Sequence, residues 1–217
     1  MQELNNFKYK DFLLAIIKGD RKGGYEIIKR YLANEIEIKE LYEKLIKQSL
    51  YKLGELWERN KISVATEHMA TAITESLLNS LLEYVVTEEK VGKTAIVACV
   101  ENEYHELGLK MVSDIFEMNG WDTHFLGANV PSNELVKFAK IVNPDIFALS
   151  LSIYSNLPIL EKMIIQIRKQ FPDKLVMVGG QAFNNGGRVL FDKYQNVFYL
   201  ESLSETELFI KKVVEIK

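Results

Sequence analysis

The chain is short of thiols, of long apolar runs and of excess positive charge, and each shortage excludes a class of protein. Only one of its 217 residues is cysteine, Cys99. A lone thiol cannot close an internal disulfide, and its position inside a predicted strand makes it a small core residue. No stretch reaches the roughly 18 consecutive apolar residues that a membrane-spanning helix needs. With 27 Lys and Arg against 30 Asp and Glu the formal charge is -3, so no general attraction to nucleic acid or anionic membrane is expected. Met1–Asn6 has neither a basic n-region nor an apolar core, so no secretory signal is expected and the expected location is cytoplasmic. There is no low-complexity tract. What is present is an ordinary globular composition, 47% hydrophobic and 26% charged, in a length suited to one or two domains.

The hydrophobic period divides the chain. Residues 1–87 repeat apolar residues at helical spacing. Phe7, Phe12, Leu13, Ile16 and Ile17 come first, then Tyr25, Ile27, Ile28, Tyr31 and Leu32. A third set runs through Leu41, Leu45, Ile46, Leu50, Leu53, Leu56 and Trp57. Gly19-Asp20 and Asn60-Lys61-Ile62-Ser63 interrupt the pattern, and Ser63 suits the cap of a fourth helix running from Val64 to about Val86. Four helices with short connections predict a bundle. The polar stretch Thr87–Lys93 then marks a domain boundary.

Residues 93–217 alternate short apolar runs with helical stretches. Strands are predicted at 94–100, 122–127, 145–151, 174–179 and 196–200, and helices at 106–119, 132–142, 156–170, 183–192 and 204–215. Five such units predict an α/β domain: a flavodoxin-like (Rossmann-type) five-stranded parallel sheet. In sheets of this kind ligands bind at the carboxyl edge of the strands.

Three signals fall on that edge. Glu103-Tyr104-His105-Glu106-Leu107-Gly108 follows the first strand. Ser150-Leu151-Ser152 ends the third, 41 residues (109–149) after Gly108. Gly179-Gly180 ends the fourth, 26 residues (153–178) after Ser152. An imidazole takes a transition metal readily, so His105 is read as the ligand of a metal carried by a large cofactor, and a metal-bound imidazole usually gives its other N–H to a carboxylate, for which Glu103 is placed.

At these gaps the chain resembles the cobalamin-binding domain family, whose pattern is Asp-x-His-x-x-Gly, Ser-x-Leu and Gly-Gly. Glu103 stands where that family has Asp, and Ser152 where it has Leu. The resemblance implies that His105 ligates cobalt from below, displacing the cofactor's own dimethylbenzimidazole. It implies that this base and its nucleotide tail fill a slot walled by Gly108, Gly179 and Gly180, lined by Ser152 and hydrogen-bonded by Ser150. Gly127, in the loop after strand two, would let backbone approach the corrin ring.

Leu56–His68 resembles the cap of adenosylcobalamin-dependent photoreceptor regulators of the MerR type, which carry a Trp and, ten residues on, a Glu-His pair. Trp57, Glu67 and His68 keep that spacing. The resemblance implies that Trp57 offers a flat surface to an adenosyl group and that Glu67, oriented by His68, accepts from ribose hydroxyls. Two features depart. Glu58 follows the Trp where those photoreceptors carry a histidine, and no winged-helix domain or basic recognition helix is expected here. His124, in predicted strand two, is assigned no role.

The function expected is a stand-alone, light-responsive sensor of adenosylcobalamin, not an enzyme. It would signal through domain rearrangement, as a homo-oligomer or through a transcription-regulator partner, without binding nucleic acid or membrane itself. The alternative is a corrinoid carrier that bears methylcobalamin and serves methyltransferase partners. A haem or other tetrapyrrole sensor, or a cofactor chaperone, forms a third class, against which the nucleotide slot argues.

Overall fold

The computed structural model describes residues 9–215 and separates into two compact units, one ending at Val85 and the other beginning at Val86. Phe7, expected at the start of the first helix, lies outside the described residues.

The helical unit contains α1 (Tyr9–Ile17), α2 (Arg21–Ala33), α3 (Ile38–Leu41), α4 (Lys47–Glu58), α5 (Val64–Asn79) and α6 (Leu82–Val85). Side-chain caps set two starts. Asp20 accepts from the Gly23 N–H at 2.8 Å, and Ser63 from the Thr66 N–H at 3.1 Å. A π-helical turn, Tyr42–Ile46, joins α3 to α4 without a break. The extra residue in that turn widens the helix locally. Leu41, Tyr42, Leu45 and Ile46 are all fully buried, with Phe12, Ile16, Ile28 and Ala70 alongside in the core. The fourth helix ends earlier than its apolar pattern suggests. At Ser80 the hydroxyl turns back onto the Leu77 carbonyl at 2.6 Å, the local competition through which serine favours helix ends. Residues 82–85 then form the separate turn α6.

The second unit is a five-stranded parallel sheet. Its strands are β1 (Thr94–Cys99), β2 (Asp122–Gly127), β3 (Ile146–Ser150), β4 (Leu175–Gly179) and β5 (Val197–Tyr199), in the order β2-β1-β3-β4-β5. Helices α7 (Leu107–Met118), α8 (Ser132–Val142), α9 (Leu157–Gln170) and α10 (Leu203–Glu215) complete the alternation. Strands β1 and β3 are central. Every residue of β3 is buried, as is every residue of β1 after Thr94, which is why both read as continuous apolar runs. Cys99 is among them, and the core-residue reading holds.

One predicted element is absent. In place of a helix at 183–192 the chain forms two short 3-10 segments, Gln181–Asn185 and Arg188–Lys193. Gly186 and Gly187 lie between them with φ of +113° and +86°, which an α-helix cannot contain. Phe183, Leu190 and Phe191 of this stretch still reach the core.

Candidate functional site

The strand order places a switch point at β1 and β3: the chain leaves β1 for β2 on one side and returns to β3 on the other. The crevice at such a point opens at the carboxyl ends of the strands. Register sets Cys99 beside Ser150, and Ser150 beside Gly179. The loop carrying Glu103 and His105 leaves the end of β1 at this place.

Glu103 is the fixed point of that loop. Its side chain is fully buried, and its two oxygens accept four hydrogen bonds. Oε1 takes the His105 backbone N–H at 3.0 Å and stands 2.5 Å from His105 Nδ1. Oε2 takes the backbone N–H groups of Ser152 at 2.8 Å and Ile153 at 2.9 Å. Burial pushes the carboxyl pKa up, but these donors, led by the His105 side chain, outweigh it and hold the group at about 2. Glu103 is therefore an ionised acceptor across ordinary pH, and His105 presents Nδ1 to it as a donor. That arrangement turns Nε2 into the ring atom suited to a metal. The His105 side chain is 57% exposed.

Cys99 supports the same loop. Its Sγ lies 3.7 Å from the His105 carbonyl oxygen. Burial, reinforced by Glu103 and Glu106, pushes its thiol far above the usual range, so it remains a neutral, inert thiol.

Three asparagines, none anticipated from sequence, tie the edge loops together. Asn102 donates its N–H to the Asn129 side chain at 2.8 Å. The Asn129 N–H bonds the Glu103 carbonyl at 2.8 Å, and the Asn156 side-chain amide reaches the Asn102 carbonyl at 3.2 Å. Asn102 and Asn129 take φ of 66° and 51°. Asparagine tolerates that left-handed region better than other side chains, so an asparagine in each strand-to-helix loop was the available signal.

The four glycines singled out divide by cause. Gly180 has φ +120°, and a Cβ there would stand 2.1 Å from the Leu151 carbonyl oxygen. At Gly179 a Cβ would meet the Leu200 carbonyl oxygen at 3.1 Å, and at Gly127 (φ +73°) a Glu106 carboxylate oxygen at 2.7 Å. The protein's own packing demands these three. Gly108, the second residue of α7, differs, since a Cβ there would meet nothing within 4 Å.

In the helical unit the structure joins Glu67 and His68. Glu67 Oε2 is 2.8 Å from His68 Nδ1, and Oε1 accepts from the Thr71 hydroxyl at 2.8 Å. Trp57, near the end of α4, is 44% exposed, a large apolar surface left in water. His124 packs edge-on against the Phe138 ring at 5.6 Å.

Comparison with known proteins adds the following. A B12 binding domain model matches residues 93–199, and a second B12 binding domain model matches residues 9–82. The dimethylamine corrinoid protein of Methanosarcina barkeri is 30% identical over 177 residues, 79% of this chain and 76% of its own length. The HTH-type transcriptional repressor CarH of Myxococcus xanthus is 28% identical over 142 residues, 65% of this chain but only 47% of its own length. Among solved structures, the Methanosarcina barkeri monomethylamine corrinoid protein has the same fold, with a TM-score of 0.78 over 93% of this chain and 96% of that one at 17% identity. The expected architecture, helical cap followed by five-stranded parallel sheet, is the one observed. No helix among the described residues is long and apolar enough to cross a membrane. The chain belongs to the B12 binding domain family and is a cobalamin-binding protein carrying both a helical and an α/β B12 binding domain.

Proposed function

We propose that this chain is a corrinoid carrier: it holds cobalamin through His105 and presents an upper methyl group to methyltransferase partners without being an enzyme itself. The observation that carries the cobalt assignment is the buried Glu103 carboxylate 2.5 Å from His105 Nδ1, which orients one imidazole and raises its basicity. The donor set suits a metal that arrives inside a macrocycle. Among the described residues there is no group of three or more His, Cys, Asp or Glu that could hold a bare ion. Gly108 adds open space one turn beyond the histidine. Ser150, 8% exposed between Cys99 and Gly179, is placed to hydrogen-bond the displaced base, with Gly179, Gly180 and Ser152 beside it. Gly127 is the last residue of β2. The corrinoid, when bound, supplies a cobalt–carbon bond that can be made and broken. The chain's own residues position it.

The carrier reading ranks above the photoreceptor sensor on two grounds. The dimethylamine corrinoid relative is matched over most of its length, CarH over less than half. Glu58 also removes the histidine that those photoreceptors place after the Trp. The sensor remains the second reading, favoured by one observation: Glu67 is held by His68 and Thr71 beneath an exposed helix face, ready to accept a ribose hydroxyl. In either reading residues 1–87 act as the cap and 93–217 as the cobalamin-binding domain. The carrier takes methylcobalamin and a methyltransferase partner; the sensor takes adenosylcobalamin and signals by self-association or through a transcription regulator. The test is to load the protein with each form in the dark and measure affinity, then illuminate and follow absorbance and elution volume. A carrier binds both and keeps its elution volume in light. A light-driven change of oligomer with adenosylcobalamin alone would overturn the carrier reading in favour of the sensor.

A further inference from the structure

Glu106 directly follows the proposed cobalt ligand and is the N-cap residue of α7, yet its side chain makes no cap hydrogen bond. Serine, threonine, aspartate and asparagine cap a helix well, so capping does not account for a glutamate here. The carboxylate lies back across the sheet edge instead. A Cβ on Gly127, the last residue of β2, would stand 2.7 Å from one of its oxygens. Its charge also reaches Cys99, the last residue of β1, where it helps push the thiol up. The group therefore sits between the carboxyl ends of β1 and β2, beside His105, and is partly exposed.

Nothing in the protein engages this carboxylate. Among the described residues its side chain has no hydrogen bond or ion pair. Lys110, four residues on, is the usual partner for a glutamate at this spacing. It turns instead to Asp114 at 3.7 Å and to the face of the Phe125 ring. The edge of a corrin ring carries acetamide and propionamide side chains, and each primary amide offers two N–H donors. A carboxylate accepts such a donor in a charge-assisted bond, about twice as strong as a neutral one, and repels another carboxylate in the same place. We propose that Glu106 accepts a hydrogen bond from one side-chain amide of the corrin ring, and so selects the amidated cofactor against a form in which that amide is a carboxylate. This rests on the cobalamin reading of His105 and adds a specificity to it.

The test uses the full chain and hydroxocobalamin. Hydrolysis of one side-chain amide, taking up water and releasing ammonia, gives separable monocarboxylic acids that differ in which amide is lost. Absorbance titrations at neutral pH give the affinity for each. Wild type binds one of these acids about tenfold more weakly than the intact cofactor, and the others within about twofold of it. Glu106→Gln, whose amide accepts from an amide and donates to a carboxylate, binds that acid and the intact cofactor alike. Three results overturn the proposal: all the acids bound as tightly as the intact cofactor, all weakened equally as overall charge would do, or discrimination retained in Glu106→Gln. A lower melting temperature for Glu106→Gln with unchanged affinities also overturns it, since a carboxylate that only favours the helix end behaves that way. Each of these leaves the cobalt assignment standing. Failure of wild type to bind hydroxocobalamin overturns both.

Discussion

Glu103 concentrates four hydrogen bonds on one buried carboxylate, and the longer side chain relative to aspartate spans two loops at once. Its pKa of about 2 lies below the ordinary 4.5. A carboxyl whose folded pKa is depressed stabilises the protein fully above its unfolded value and loses that contribution as pH falls through the folded one. In the cofactor-free protein the loss therefore runs from about pH 4.5 to about pH 2, and amounts to about 3 kcal/mol. Urea melts across that range, compared with Glu103→Gln, measure it. The variant loses about 2 kcal/mol at pH 7 because its amide nitrogen faces N–H donors, and its stability falls less steeply below pH 4.5. An equally steep fall in the variant would place the acid sensitivity elsewhere. At this scale the sequence announced the chemistry but not the wiring. His105, Glu103, Gly108 and the Gly179-Gly180 pair stood out by type and spacing. The two amides of Ser152 and Ile153 did not, because a backbone N–H has no residue-specific signature. Three loops must fold together before Asn102, Asn129 and Asn156 become one network.

The elements followed their periods wherever one face or one interior had to be buried. Strands β1 and β3 read as unbroken apolar runs because helices cover both faces. The π-helical turn was not legible, since the pattern Leu41, Tyr42, Leu45, Ile46 fits an ordinary amphipathic helix equally well. The helix expected at 183–192 failed for the opposite reason: Phe183, Leu190 and Phe191 are genuine core, but Gly186-Gly187 prevents the backbone from continuing. Two substitutions test the account of element ends. Removing the α5 cap with Ser63→Ala costs about 1 kcal/mol in a urea titration, and no change would mean the Ser63–Thr66 bond is idle. Gly180→Ala, which forces a Cβ 2.1 Å from the Leu151 carbonyl oxygen at φ +120°, destabilises the chain by about 2–4 kcal/mol. A wild-type melting curve for that variant would remove the structural reason given for the glycine.

The whole molecule consists of two units with separate cores, joined at Val85–Val86. A ligand that binds only the folded state stabilises it by about 3 kcal/mol at a hundredfold excess over Kd. A corrinoid should therefore raise the unfolding temperature of wild type by several degrees, and of His105→Ala by less. The proposed function joins the domain alternation, the switch-point crevice and the Glu103–His105 pair through a single bond, from His105 to cobalt. The most direct measurement of it is the electron paramagnetic resonance spectrum of the protein loaded with cob(II)alamin after its histidines have been labelled with nitrogen-15. Ligation by His105 splits each cobalt line into a doublet, the signature of one nitrogen-15, and His105→Ala abolishes the doublet. A triplet from unlabelled nitrogen in the wild-type protein would mean that the cofactor keeps its own base, and would contradict the account.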